Sequence, residues 1–175
     1  VYTNVKDYLN ATSCYMEAEQ LADAVGDDYL SGLLYAELGR IYDIYYDFPK
    51  SLEAYQIAAE CYERAGKIRH RNYMWYNQSN VYRNLNRYDE SERLLRVALN
   101  SAQKEGDKTL VKSCMGSLVM LYIEGMQMQK AQEIYTELES MVDSHYGSAA
   151  FQGILSKLYA SKQKYTEALT FIERG

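Results

Sequence analysis

Apolar and small residues recur along the chain at steps of three and four, as in the run Ser91, Leu94, Leu95, Ala98 and Leu99. That step puts them on one face of a helix, so the pattern predicts helices rather than strands. A longer period lies over the short one. On a forty-residue ruler Tyr2, Tyr42, Tyr82 and Tyr122 coincide, as do Tyr8, Phe48, Tyr88 and Met128. So do Ala11, Ser51, Ser91 and Ala131; Tyr15, Tyr55, Leu95 and Tyr135; and Ala18, Ala58, Ala98 and Leu138. Gly26, Gly66 and Gly106 follow, with Gly147 one place late, and Tyr159, Tyr165, Ala168 and Ile172 begin a further copy.

Each copy reads as two helices. Short breaks such as Asp47-Phe48-Pro49 and Leu85-Asn86-Arg87 separate the first helix from the second. The glycine can take the left-handed conformation that ends a helix, and the aspartate that follows it in Gly26-Asp27 and Gly106-Asp107 can cap the next one. A helix pair of this size cannot bury its apolar face alone, so neighbouring pairs must stack. Small columns let helices approach and aromatic columns fill the space beside them. The expected architecture is all-α: one array over residues 1–175, with a partial unit 1–26, units 27–66, 67–106 and 107–147, and a partial unit 148–175. The ends fall inside helix pairs with no polar cap, which suggests a segment of a longer protein or an end covered by self-association.

The run Tyr35-Ala36-Glu37-Leu38-Gly39-Arg40-Ile41-Tyr42, followed by Phe48, Ser51, Tyr55 and Ala58, resembles the tetratricopeptide (TPR) repeat, with Trp75 where that family carries its signature tryptophan. The forty-residue length with its Gly-Asp joint is similar to the longer-helix branch found in bacterial signalling and transcription regulators and in kinesin light chains. The closing proline of the family is missing, and Gln78-Ser79 replace its Leu-Gly pair. The resemblance implies a right-handed superhelical solenoid of stacked antiparallel helix pairs that acts as a protein–protein interaction module or scaffold. It also implies that the first helices line a concave groove where a partner binds.

Composition narrows the function classes. One proline and ten glycines in 175 residues leave little room for a many-turned β-sandwich, and no apolar run approaches the length of a membrane span. Cys14, Cys61 and Cys114 are too few and too dispersed for a disulfide framework and are expected to be buried apolar residues. No phosphate loop, HExxH or GxSxG occurs, and His70 and His145 have no catalytic companions, so neither an enzyme nor a cofactor or metal site is expected. Of the nineteen tyrosines, eleven stand in repeat columns and are expected in the core; Tyr62 is among the eight that are not.

Charge is uneven: net −8 over residues 1–66, +4 over 67–96 and −1 over 97–175. The basic stretch holds Lys67, Arg69, Arg71, Arg83, Arg87, Arg93 and Arg96. It reads either as a solvated face paired with nearby acids or as a docking patch for an acidic protein or peptide. Nucleic acid is not expected, since the net charge is −5.

Carrying the family's groove onto this chain selects Glu37, Arg40 and Asp43; then Tyr73, Tyr76, Asn77, Asn80, Arg83 and Asn84; then Ser117, Met120 and Glu124; then Lys157. The middle group is the strongest candidate, because asparagines offer a peptide backbone both donor and acceptor, and an arginine with two tyrosines makes an amphipathic anchor. The leading expectation is partner binding in this groove. A sensory or regulatory segment of a larger, bacterial, signalling or transcription-regulating protein is one alternative. A self-assembly element working through uncapped ends or through Met115, Met120, Met126 and Met128 is the other. The compartment stays open between the cytoplasm and the extracytoplasmic part of a membrane-anchored regulator.

Overall fold

The computed structural model describes residues 26–141 continuously, with isolated helical positions at Ser13, Glu17, Ser156, Ala160 and Gln163. Six helices run through the continuous stretch: α1 (Asp28–Ile44), α2 (Phe48–Arg64), α3 (Ile68–Asn84), α4 (Tyr88–Lys104), α5 (Lys108–Glu124) and α6 (Met128–Ser140). The first five have 17 residues each, and three-residue joints separate them. Helices therefore start every twenty residues, and the forty-residue period is two half-periods.

One backbone device makes every joint. Gly26, Tyr46, Gly66, Asn86, Gly106 and Met126 all take φ between 57° and 71°. At the five joints from 46 onward, the next residue donates its N–H to the carbonyl five positions back, as Asp47 does to Tyr42 (2.8 Å) and Asp107 to Ala102 (2.9 Å). This is the Schellman closure, which satisfies carbonyls that the helix end would leave open. The residue that closes one helix then begins the next. Asp27 caps α1 through its carboxylate, which accepts from the N–H groups of Tyr29 (2.9 Å) and Leu30 (3.1 Å). The break expected at Asp47-Phe48-Pro49 lies slightly earlier, at Tyr45–Asp47; Phe48 and Pro49 open α2, where proline's missing N–H has no helical partner to lose.

The chain divides into two compact units, Val1–Asp107 and Lys108–Gly175. In the first, α1 packs on α2, α2 on α3 and α3 on α4. Arg64 at the end of α2 pairs with Asp28 at the start of α1 (2.8 Å), which fixes the pair as antiparallel. Tyr55, Ala58, Ala59, Tyr62, Met74 and Val81 form the core, walled by Tyr35, Phe48 and Trp75. In the second unit α5 packs on α6, burying Leu110, Cys114, Met115, Leu118 and Tyr122 with Tyr135 and Leu138.

The columns now have physical content. Ser51 and Ser91 are fully buried, and their hydroxyls donate to the carbonyls of Gly39 (2.9 Å) and Ser79 (2.8 Å) on the preceding helix. A Cβ on Gly39 would stand 2.6 Å from the Tyr55 ring; forty residues on, the corresponding positions hold Ser79 and the smaller Leu95. Tyr55, Tyr122 and Tyr135 are buried as expected, whereas Tyr42, Tyr82 and Tyr88 are half-buried and the other five column tyrosines lie outside the described residues. Tyr62, not expected in the core, is only 2% exposed, because Gly32 leaves its ring a slot on α1. Burial, with lesser repulsion from Tyr29 and Glu37, pushes its phenol up to about 12. Cys61 and Cys114 are buried free thiols, and Cys14 lies outside the described residues. Of the four methionines weighed as a contact surface, Met115 is buried and Met126 is 77% exposed.

Candidate partner-binding face

The inner side of α3 is pinned first. Gln78 Nε2 donates to the Leu52 carbonyl and to Gln56 Oε1 on α2, both at 3.2 Å, while the Ser79 carbonyl receives Ser91 from α4. With those contacts made, one side of α3 is left facing outward. At about 100° per residue, Tyr73, Tyr76, Asn77, Asn80, Arg83 and Asn84 fall within an arc of about 120° on that side. None of the six is buried, whereas Asn72, Met74, Gln78, Ser79 and Val81 are.

Two neighbours extend the face. On α1, Arg40 pairs with Glu37 through Nη2 (2.7 Å) and Nε (2.9 Å). One turn further on, the Asp43 carboxyl hydrogen-bonds the Asn84 side chain and so ties α1 to α3. Asp43 Oδ1 is buried without a hydrogen-bond partner. Desolvation accordingly raises the Asp43 pKa, with the Asn84 bond opposing it. Beneath it on α2, burial first and the Asp43 charge second raise the Tyr55 pKa strongly. At the other end of the face, Tyr73 hydrogen-bonds Arg69.

The structure thus brings Arg40 and Asp43 on α1 together with the six α3 residues in one unit. Ser117, Met120 and Glu124 belong to α5, in the second unit. Ser117 is a correction: it is 8% exposed, one of many residues buried around α5, with Leu110, Val111, Leu118 and Val119 among them. Lys157 lies outside the described residues, as does His145.

The basic stretch 67–96 is largely neutralised in place. Arg69 forks onto Asp107 (2.6 and 3.2 Å), Arg71 meets Glu63, Arg87 meets Glu90 and Arg96 meets Glu92 (2.8 Å). The Asp107 side chain, expected as a helix cap, is 3% exposed and pairs with Arg69. Lys67 lies over the Tyr29 ring, 5.4 Å from its centroid, and His70 stands edge-on to the same ring at 5.5 Å. Sequence reasoning missed Arg71 as an interior residue. The available signal was its column partner Ser31, a small residue that is itself buried.

No family model and no curated protein matches the chain. Solved structures do. BtubC (BKLC) from P. vanneervenii superposes with a TM-score of 0.78 at 20% identity, over 96% of this chain and 71% of that one. The nearly identical TPR-like repeats of a Podosopora anserina protein described as a kinesin light chain superpose with a TM-score of 0.66 at 16% identity, over 98% and 89%. At these identities the likeness is one of fold. The chain has the all-α fold of a TPR-like repeat solenoid.

Proposed function

We propose that the chain is a non-catalytic protein-interaction module of the long-helix TPR-like branch, and that the α1–α3 face holds an extended segment of a protein partner. The observation that carries this reading is the outward face of α3. Asn77, Asn80 and Asn84 stand at i, i+3 and i+7, flanked by Tyr73, Tyr76 and Arg83, with no member buried. Amides set along one stripe can donate to and accept from a partner's main chain, whatever its side chains. Tyrosine rings and an arginine supply contact area at low entropic cost. Helices already packed on both flanks need no ordering when the partner arrives, so little binding energy is lost to folding. The forty-residue period and the 17-residue helices support the long-helix assignment.

The test begins with peptides selected from a random-sequence display library against the wild-type protein. Their affinities are then measured by fluorescence anisotropy for wild type and for Asn77→Ala/Asn80→Ala, with circular dichroism as a check on folding. A loss of roughly tenfold, about 1.4 kcal/mol, is expected. Equal affinity in a folded variant would remove the face from the reading.

A further inference from the structure

Residues 27–66 and 67–106 fill the same space with opposite chemistry. In the first, the Tyr62 ring plugs the space beside α1, so close that a Cβ on Gly32 would meet it at 2.9 Å, with Ser31 and Cys61 buried alongside. Forty residues later the four positions are Arg71, Asn72, Ser101 and Ala102. Asn72 is 1% exposed and Ala102 fully buried. The Arg71 side chain, 15% exposed, lies over Trp75 at 4.2 Å from the ring centroid and reaches Glu63 on α2. Its Nη2 donates to Asn72 Oδ1 (3.1 Å) and to Ser101 Oγ on α4 (3.3 Å).

The first of these bonds occupies the Asn72 amide oxygen and leaves Nδ2 as the donor still to be satisfied. Arg71 Nε and Asn72 Nδ2 are both buried, and neither finds an acceptor in the protein. In the unfolded chain water satisfies both groups, so a dry junction would forfeit those hydrogen bonds.

We propose that this α2–α3–α4 junction is a built hydration site, in which one buried water accepts from Asn72 Nδ2 and Arg71 Nε. Three features select water over other acceptors. Asn72 is too deeply buried for a partner segment to reach. Glu63 already balances the Arg71 charge, so an anion would place an uncompensated charge in a poorly solvated site. Ala102 removes the phenol ring that fills the equivalent space beside Gly32, and one water occupies about 30 Å³. The water completes the hydrogen bonding of Arg71 and Asn72 on α3, and Arg71 in turn reaches Glu63 on α2 and Ser101 Oγ on α4. The polar cluster thus links three helices where Tyr62 uses apolar contacts one repeat earlier.

The test is a high-resolution crystal structure of the wild-type chain from crystals soaked in bromide, with a second structure of Asn72→Gly/Ala102→Tyr, which copies the 32/62 pairing. A water peak within hydrogen-bond distance of both nitrogens, without anomalous bromide signal and absent from the variant, is the expected result. A bromide peak there would make the site an anion site and overturn the proposal. A dry junction in the wild type, with both donors turned to protein acceptors, would overturn it as well, whether or not the variant folds.

Discussion

Gly39 leaves no room for a single added methyl group. Its missing side chain is occupied by the Tyr55 ring, 2.6 Å from where a Cβ would stand, and that ring is 3% exposed with nowhere to retreat. Gly39→Ala is expected to cost about 1–3 kcal/mol in urea denaturation, through overpacking. In a Tyr55→Leu background, which copies the Ser79 and Leu95 positions, the same change should cost much less. Gly66→Ala is the control: its Cβ would meet nothing within 4 Å, and its penalty of about 1–2 kcal/mol comes from a φ of +66° alone, independent of Tyr55. A Gly39→Ala cost unaffected by Tyr55→Leu would refute the packing explanation. The three glycine joints were legible in the sequence because left-handed backbone leaves a compositional mark. Tyr62 was not, because its column holds Ala102 in the next unit and its burial depends on Gly32, thirty positions away.

Consecutive helices of a pair are joined by a charged clasp whose polarity can be reversed. Asp47 and Lys50 pair at 2.8 Å, and Lys50 lies 5.5 Å from the centroid of the Tyr42 ring. In the next unit Arg87 and Glu90 pair, and Arg87 lies 4.8 Å from the Tyr82 ring. The two charges have exchanged places, yet each pair sets its cation on the equivalent tyrosine. Lys50→Glu should therefore cost about 0.5–1 kcal/mol in thermal denaturation, and Asp47→Arg in the same chain should restore most of it. Loss that persists in the double variant would show that the lysine acts in some other way. Asp43 joins α1 to α3 differently, with one oxygen on Asn84 and the other buried and unpaired. Its proton is held more tightly in the folded chain than in the unfolded one. Stability from this group is thus fully present below about 3.8 and is lost as pH rises through the elevated folded value. Asp43→Asn should flatten that part of the stability–pH curve; an unchanged slope would assign it to other carboxyls. The helix pairs were legible from the three-and-four spacing. The twenty-residue half-period was hidden, because alternate joints carry Tyr46, Asn86 and Met126, where the Schellman bonds hold a positive φ without glycine.

At the scale of the whole chain, repetition made the solenoid readable, since a recurring column needs only a recurring contact. The candidate face was readable in part: the α3 stripe follows from helical spacing, but its limits depend on which side chains neighbours bury, and Ser117 shows how a helix buried nearly all round escapes such reasoning. The fate of the basic stretch was also beyond the sequence, because Arg69 and Asp107 are thirty-eight residues apart and only stacking brings them within 2.6 Å. Repeat arrays draw stability from each pair and its nearest neighbours rather than from one central core. Residues 1–107 contain α1 to α4, every contact among them, and the Arg69–Asp107 fork. A chain of residues 1–107 should fold by itself, with the helical circular dichroism expected for its share of the protein and a single cooperative thermal transition. An Asp107→Asn version should remain folded and melt slightly lower, since Arg69 is mostly exposed and can recover solvent. A coil-like spectrum for residues 1–107 would mean that the contacts within this unit are not enough to hold it. A melting point unmoved by Asp107→Asn would reduce the fork to a surface ornament and leave the packing of α3 on α4 to the Ser79–Ser91 and Arg71–Ser101 contacts and the apolar columns.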